Sequence, residues 1–131
     1  MDIERIEDGG DLLAIVVREG ASTEGVKFFT PGDSPIQLGV LMHPKGSGSR
    51  PHLHRPRART IDRTQEVLHL QYGKVEVDVY NRDRKLVRTC TLHAGDTILL
   101  SLGGHALRVL EESKILEIKQ GPYMADEKEY I

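Results

Sequence analysis

Two histidines separated by one residue are the pair in this sequence best suited to bind a metal. His52 and His54 flank Leu53, and on an extended segment their side chains point to the same side, because successive side chains alternate between faces. Neutral imidazole is the commonest metal-binding side chain, so the pair predicts a site for a divalent metal. Chance also produces such a pair in a chain with six histidines, so the prediction depends on what the chain places around it.

Glu66 and His105 are the residues that we expect to join this pair. Glu66 shares a strand face with Leu68, so its carboxylate points inward if the leucine does, and His105 begins a strand on which Leu107 points in the same direction. A carboxylate or imidazole in an apolar interior is costly unless it is paired or bound to a metal. Three imidazoles and one carboxylate leave one or two positions open on a six-coordinate ion for substrate or water. The predicted metal ligands are His52, His54, Glu66 and His105.

Short strands must position these side chains. Apolar and polar residues alternate from Lys74 to Tyr80, which is typical of a half-buried strand, and Gly73 before them predicts a tight turn. Many short strands with closely spaced turn residues, and no helical periodicity, predict an all-β antiparallel fold, a sandwich or a barrel. After a polar lead-in at 1–10, the predicted strands cover residues 12–17, 26–29, 36–42, 66–72, 74–80, 86–92, 97–100, 105–110 and 113–119.

The composition indicates one globular domain. The chain has 131 residues, of which 38% are hydrophobic and 29% charged, with a net charge of −2, and this balance gives no reason to expect nucleic acid or a membrane as partner. No apolar run could span a bilayer and the acidic N-terminus lacks a signal-peptide pattern, so we expect a cytoplasmic protein. The single cysteine, Cys90, is expected to be buried apolar filler rather than a reactive thiol.

The residues around the histidine pair resemble the first sequence motif of the cupin family. That motif is a glycine, five residues, His-x-His, a short gap, a glutamate, six residues and a glycine. Here Gly46, five residues, the pair at 52–54, then Glu66, six residues and Gly73 match it. Eleven residues separate His54 from Glu66, where three or four are usual in the family.

A second cupin motif is matched further along the chain. Gly95 takes the place of its first glycine, and His105, preceded by Gly103 and Gly104, takes the place of its histidine. Four short segments also resemble small, single-domain, cupin-2-like microbial proteins of uncharacterised activity. These segments are residues 59–61, 64–66, 103–105 and 119–123.

The resemblance implies a fold, a cofactor and partners. The fold is an antiparallel double-stranded β-helix, or jelly-roll barrel, as one domain over 1–131, with its core at about 11–121 and a tail at 122–131. The cofactor is a divalent metal ion, Zn, Fe, Mn or Ni. The partners are a small-molecule ligand and a second copy in a homodimer, for which segment 11–18 is the expected pairing strand, because exposed edge strands need covering.

An arginine-rich insertion precedes Glu66. Arginines beside a metal pocket can bind a carboxylate or phosphate through two parallel hydrogen bonds, and Arg59, in the middle of the insertion, is the residue that we expect to do so. The alternative is a solvated loop whose charges serve solubility. The predicted substrate-binding residues are Arg59 and Glu66.

Three functions follow from these residues. The first is a metal-dependent enzyme that acts on a small anionic or sugar-derived molecule by isomerase, epimerase or oxygenase chemistry, with the metal as Lewis acid or dioxygen-binding ion. The second is a non-catalytic module that binds a small molecule or sugar. The third is a protein whose metal is structural and that acts through its surface.

Overall fold

The computed structural model describes residues 2–125 and 128–131. These residues form strands and loops without a helix, so the prediction of an all-β antiparallel fold is confirmed. The chain divides into a first unit, residues 1–21 and 63–131, and a second unit, residues 22–62; the single domain stays a prediction. The strands are β1 (Ile3–Asp8), β2 (Asp11–Val17), β3 (Val26–Phe28), β4 (Gly39–Leu41), β5 (Glu66–Tyr80), β6 (Leu86–His93), β7 (Thr97–Leu100) and β8 (Gly104–Lys119).

The first unit is built on one antiparallel sheet. Its strands follow the order β1-β2-β7-β5-β6, and β8 pairs with β5. Along one edge of β5, β7 pairs with residues 66–69 and β6 with residues 74–80, whereas β8 pairs along the other edge from end to end. β2 pairs with β1 and with β7. Pairing of segment 11–18 between two subunits would therefore have to replace one of these ladders.

The core of the first unit follows the alternation read from the sequence. Val75, Val77 and Val79 of β5 are each 1% exposed, as expected for the inward face of a strand. Cys90 is buried among them, which confirms the prediction of an apolar filler position. The core cluster consists of Ile6, Leu13, Ala14, Val16, Leu68, Leu70, Val75, Val77, Val79, Cys90, Leu92, Ile98 and Leu100.

Gly73 lies inside a continuous strand, so the tight turn predicted there is wrong. The β5·β8 register shifts between residues 70 and 75, and Gly73 has a φ of +102°, which favours glycine. A Cβ at this position would overlap Ser113 Oγ and the Glu112 carbonyl oxygen. The irregularity also reverses the alternation of β5, because even-numbered residues face the core before it and odd-numbered residues after it. Likewise, β8 is one strand where two were predicted.

The first residues of the chain form a strand rather than the predicted polar lead-in. β1 has a single buried side chain, Ile6, so its hydrophobic pattern is weak, and its pairing with β2 makes it a strand. Glu4 accepts hydrogen bonds from Arg18 Nε at 2.6 Å and from Arg88 at 2.5 Å. These charge-assisted bonds connect β1 to the residue after β2 and to β6.

Asp96 secures the turn between β6 and β7. Its carboxylate accepts hydrogen bonds from the backbone N–H of His93 at 2.8 Å, the backbone N–H of Glu19 at 2.9 Å and Arg18 at 3.0 Å. Burial alone raises the pKa of Asp96, but these three donors outweigh it and the pKa lies below its usual range. Ala94 and Gly95 form the turn itself.

The second unit contains one short antiparallel pair, β3 with β4. The predicted strand at 36–42 is reduced to Gly39–Leu41, and Phe29 is the single buried side chain of this unit. Residues 43–62 are exposed and form neither helix nor strand. Over the described residues of both units, no helix is long and apolar enough to cross a membrane.

Candidate functional site

Glu66 and His105 lie together on the first unit. Glu66 Oε1 is 3.8 Å from His105 Nε2, although the two residues belong to opposite ends of the β5·β8 ladder, where Glu66 pairs with Lys119 and His105 pairs with Val79. A straight strand from residue 66 to residue 79 would be about 40 Å long. The sheet therefore curls until its two ends meet, and the bend falls at the irregularity around Gly73.

Both side chains lie on the concave face of this curled sheet. His105 is directly opposite Val79, a core residue, and directly opposite residues of an antiparallel pair share a face. Glu66 shares its face with Leu68 and Leu70, which also belong to the core. The sequence prediction that Glu66 and His105 point inward is confirmed.

Glu117 is a third polar side chain of this site. In the β5·β8 ladder it lies opposite Leu68, on the face that carries Glu66, and its carboxyl shares a hydrogen bond with that of Glu66. Burial, this hydrogen bond and the charge of Glu117 raise the pKa of Glu66 to about 7, against the opposing effect of Lys119 and Lys128. The two carboxyls of Glu66 and Glu117 thus form one interacting pair on this face.

His105 lies beside these carboxyls with 37% of its side chain exposed. Burial lowers the pKa of His105; the charge of Glu117 opposes this shift, and the charge of Lys128 adds to it. The imidazole is consequently neutral at neutral pH, which is the form that binds metals. The outward-facing histidine of β5, His69, is instead bonded through Nδ1 to Thr97 Oγ1 at 2.9 Å.

The donor atoms of this site fit a divalent metal. Carboxylate oxygen and imidazole nitrogen suit Zn, Fe and Mn. Two ligand atoms, each about 2.1 Å from a shared ion, are at most about 4.2 Å apart, and Glu66 Oε1 and His105 Nε2, at 3.8 Å, lie within that limit. In neither unit do the described residues arrange three or more His, Cys, Asp and Glu side chains to hold a metal ion, and metal binding by Glu66 and His105 stays a prediction.

His52 and His54 lie together in the second unit. Their ring centroids are 5.3 Å apart, in an edge-to-face arrangement, so the two imidazoles are neighbours as predicted, but the segment is an exposed loop and not a strand. His52 Nδ1 is 2.7 Å from the carbonyl oxygen of Arg50. Because a carbonyl only accepts, Nδ1 carries the hydrogen and Nε2 is left as the metal-binding atom.

The remaining predicted site residue, Arg59, lies on the same exposed stretch of the second unit. The structure therefore brings the predicted ligands together in two pairs, one in each unit. That all four bind the same ion stays a prediction, as does substrate binding by Arg59.

Glu117 and Lys119 were missed in the sequence because β8 was predicted as two strands. Once residues 104–119 are paired with β5 as one strand, Glu117 and Lys119 lie opposite Leu68 and Glu66, on the face of His105. Continuous pairing with β5, across the register shifts between residues 70 and 75, joins the two halves of β8.

A separate cleft of about 490 Å³ in the first unit is lined by Arg18, Glu19, His93 and Asp96, among others. Its charged groups already bind one another, as the hydrogen bonds of Asp96 show. None of the predicted ligands lines this cleft, and we assign its residues to the stability of the β6–β7 turn.

Comparison with protein-family models, with curated proteins and with solved structures finds no match for this chain. The functional argument therefore rests on the geometry of Glu66, His105 and Glu117.

Proposed function

We propose that this protein is a metal-binding cupin, a jelly-roll protein whose concave face holds a divalent metal through Glu66 and His105 and acts on a small anionic or sugar-derived molecule. The observation that carries the proposal is the 3.8 Å separation of Glu66 Oε1 and His105 Nε2. A sheet that curls to bring two ligand-type side chains together on its apolar face places them where an ion or a ligand offsets the cost of their burial.

The residues of the site have separate roles in this proposal. Glu66 and His105 are the ligands, and a Zn, Fe, Mn or Ni ion bound there would act as a Lewis acid toward a carbonyl or hydroxyl, or supply iron redox chemistry. Glu117 holds the Glu66 carboxyl in place through the hydrogen bond that the two share. His52 and His54 are proposed as further ligands. Isomerase, epimerase and oxygenase reactions all use such a ligand set.

A second candidate function is a non-catalytic module that binds a small molecule or sugar. The exposed apolar side chains Leu107 and Val109, on the same face as His105, favour it, because binding sites combine an apolar wall with a few polar groups. Turnover of any bound compound distinguishes the enzyme from the module.

The test of the proposal is the metal content of the purified protein and of its variants, measured by elemental mass spectrometry after loading with each of the four metals. Glu66→Gln and His105→Ala are expected to lose at least tenfold in metal affinity, because each removes one ligand. His43→Ala, an exposed histidine of the second unit, is the matched control and should retain the metal. Equal metal content in all three variants contradicts the proposal.

The double variant His52→Ala, His54→Ala tests the other predicted ligands in the same assay. Loss of metal with unchanged thermal unfolding supports their role, and full metal content removes them from the ligand set. The proposed homodimer is tested by sedimentation equilibrium of the same samples, in which a single species of monomer mass contradicts it.

A further inference from the structure

The concave face carries more exposed apolar surface than a core face ordinarily does. Leu107 and Val109 are 41% and 58% exposed, yet they lie opposite Val77 and Val75 of β5, which are 1% exposed. Val75 and Val77 are therefore buried, whereas Leu107 and Val109, which pair with them on β8, are exposed to solvent on the same face. Exposed aliphatic side chains beside a polar cluster are typical of a ligand-binding wall.

A cation stands at the polar end of this wall. Lys119 lies directly opposite Glu66 in the β5·β8 ladder and so shares its face. Its charge acts on Glu66, as does that of Lys128. Lys119 and Lys128 thus supply two cationic groups beside Glu66. This end of the face is therefore suited to an anion, and a bound divalent metal would strengthen that preference.

The spacing of these residues sets the size of the ligand. Residues two apart on a strand are about 7 Å apart along it, so Leu107 lies about 7 Å from His105 along β8, and Val109 about 13 Å. The side chains available for a ligand body are aliphatic, and they offer no hydrogen-bonding groups to the hydroxyls of a sugar.

We propose that the natural ligand of this site is a small organic acid with an apolar body, whose anionic group binds at Lys119 beside Glu66 and His105 and whose body packs on Leu107 and Val109. This inference rests on the proposed function in so far as the concave face is the ligand site. The proposed function names small anionic molecules and sugar-derived molecules as ligands. This inference favours the anionic molecules and excludes sugars.

Four compounds with six carbons each test the proposal by NMR titration of the metal-loaded protein. Hexanoate has both charge and apolar body, hexanol only the body, gluconate the charge with hydroxyls in place of the body, and glucose neither. Hexanoate should bind at least tenfold tighter than each of the other three. Equal or tighter binding of gluconate or glucose overturns the proposal.

Two pairs of variants locate the ligand on the concave face. Lys119→Gln should weaken hexanoate about tenfold, and its control Lys114→Gln should not, because Lys114 is an exposed lysine about 17 Å from Lys119 along β8. Leu107→Gln should weaken hexanoate, and its control Leu116→Gln should not, because Leu116 is a 51% exposed leucine of the same strand that lies opposite His69. Equal effects within either pair overturn the assignment of that side chain, provided that thermal unfolding is unchanged.

Metal content measured on the same samples separates this inference from the proposed function. Metal uptake without a preference for hexanoate overturns the inference and leaves the metal site intact. A preference for hexanoate that depends on Lys119, in protein that takes up no metal, supports the inference and overturns the metal site.

Discussion

Glu66 Oε1 and His105 Nε2 lie 3.8 Å apart, although Glu66 pairs with Lys119 at one end of the β5·β8 ladder and His105 pairs with Val79 at the other. The curl of the sheet is therefore part of the site. It is produced where the register shifts around Gly73, so the backbone at that glycine determines whether the two ligand-type side chains meet.

The first prediction concerns this bend. Gly73→Ala is expected to lower the free energy of unfolding by about 2–4 kcal/mol, because alanine is strained at a positive φ and its Cβ would overlap Ser113 and the Glu112 carbonyl. Urea unfolding measures the change. The control is Gly10→Ala, whose φ is +82° with nothing within 4 Å of a Cβ, and it should cost only about 1 kcal/mol. An equal loss of unfolding free energy in both variants would show that the contacts of a Cβ at residue 73 with Ser113 and Glu112 do not affect stability.

The second prediction concerns pH and Asp96. Burial raises the pKa of this carboxyl, but the hydrogen bonds from His93, Glu19 and Arg18 lower it by a larger amount. The pKa of Asp96 in the folded state therefore lies below its value in the unfolded chain. The resulting stabilisation is complete above the unfolded pKa, about 3.9, and is lost as the pH falls through the folded value. Stability should therefore decline below about pH 5.

Asp96→Asn tests this sign. It should lower the free energy of unfolding by about 1–3 kcal/mol near neutral pH and flatten the decline of stability in acid, as measured by urea unfolding between pH 3 and pH 7. Asp83→Asn, at an exposed position of the β5–β6 loop, is the matched control and should leave the curve as in the parent. A parent-like acid decline in Asp96→Asn argues against Asp96 as its source.

The third prediction concerns the single cysteine. Cys90 is buried, and burial raises the pKa of its thiol despite the opposing charges of Arg18 and Arg88, so little thiolate is present at neutral pH. Ellman's reagent should modify the native protein at least tenfold more slowly than the unfolded chain. Ser47→Cys, on an exposed loop, adds a thiol that should react at once. Rapid modification of the native parent would mean that Cys90 is accessible.

The fourth prediction concerns Glu117. Glu117→Gln keeps a group that hydrogen-bonds Glu66 but removes the negative charge, which helps to raise the Glu66 pKa. The Glu66 pKa should fall, and this is measurable by carbon-detected NMR titration of the carboxyl. Glu112→Gln, an exposed carboxylate of the same strand, is the control and should leave the titration unchanged. An unshifted Glu66 in Glu117→Gln contradicts the pairing of these two carboxyls.

Much of the first unit follows from sequence pattern, because apolar and polar residues alternate from Lys74 to Tyr80 and its turns carry glycine, aspartate or asparagine. The Ala94–Asp96 turn and the inward directions of Glu66 and His105 were predictable for this reason. β1 was not, since one buried residue, Ile6, gives no periodic signal and pairing with β2 decides its structure. Glu117 was missed because continuity of β8 comes from its register with β5, which local pattern does not contain.

The histidine pair shows a different limit of local pattern. The spacing of His52 and His54 correctly predicts neighbouring imidazoles. Side chains two residues apart on an extended chain point to the same side, and this depends only on the local backbone. The same spacing does not predict a strand, because a strand needs a second strand to pair with. Residues 43–62 pair with no other strand.

The position of a bound ion tests the central claim most directly. Crystals of the protein loaded with zinc or manganese, measured at the absorption edge of the metal, give an anomalous peak at the ion. We predict a peak within about 2.3 Å of both Glu66 Oε1 and His105 Nε2. A metal-loaded crystal whose strongest anomalous peak lies away from these two atoms would contradict the proposed site.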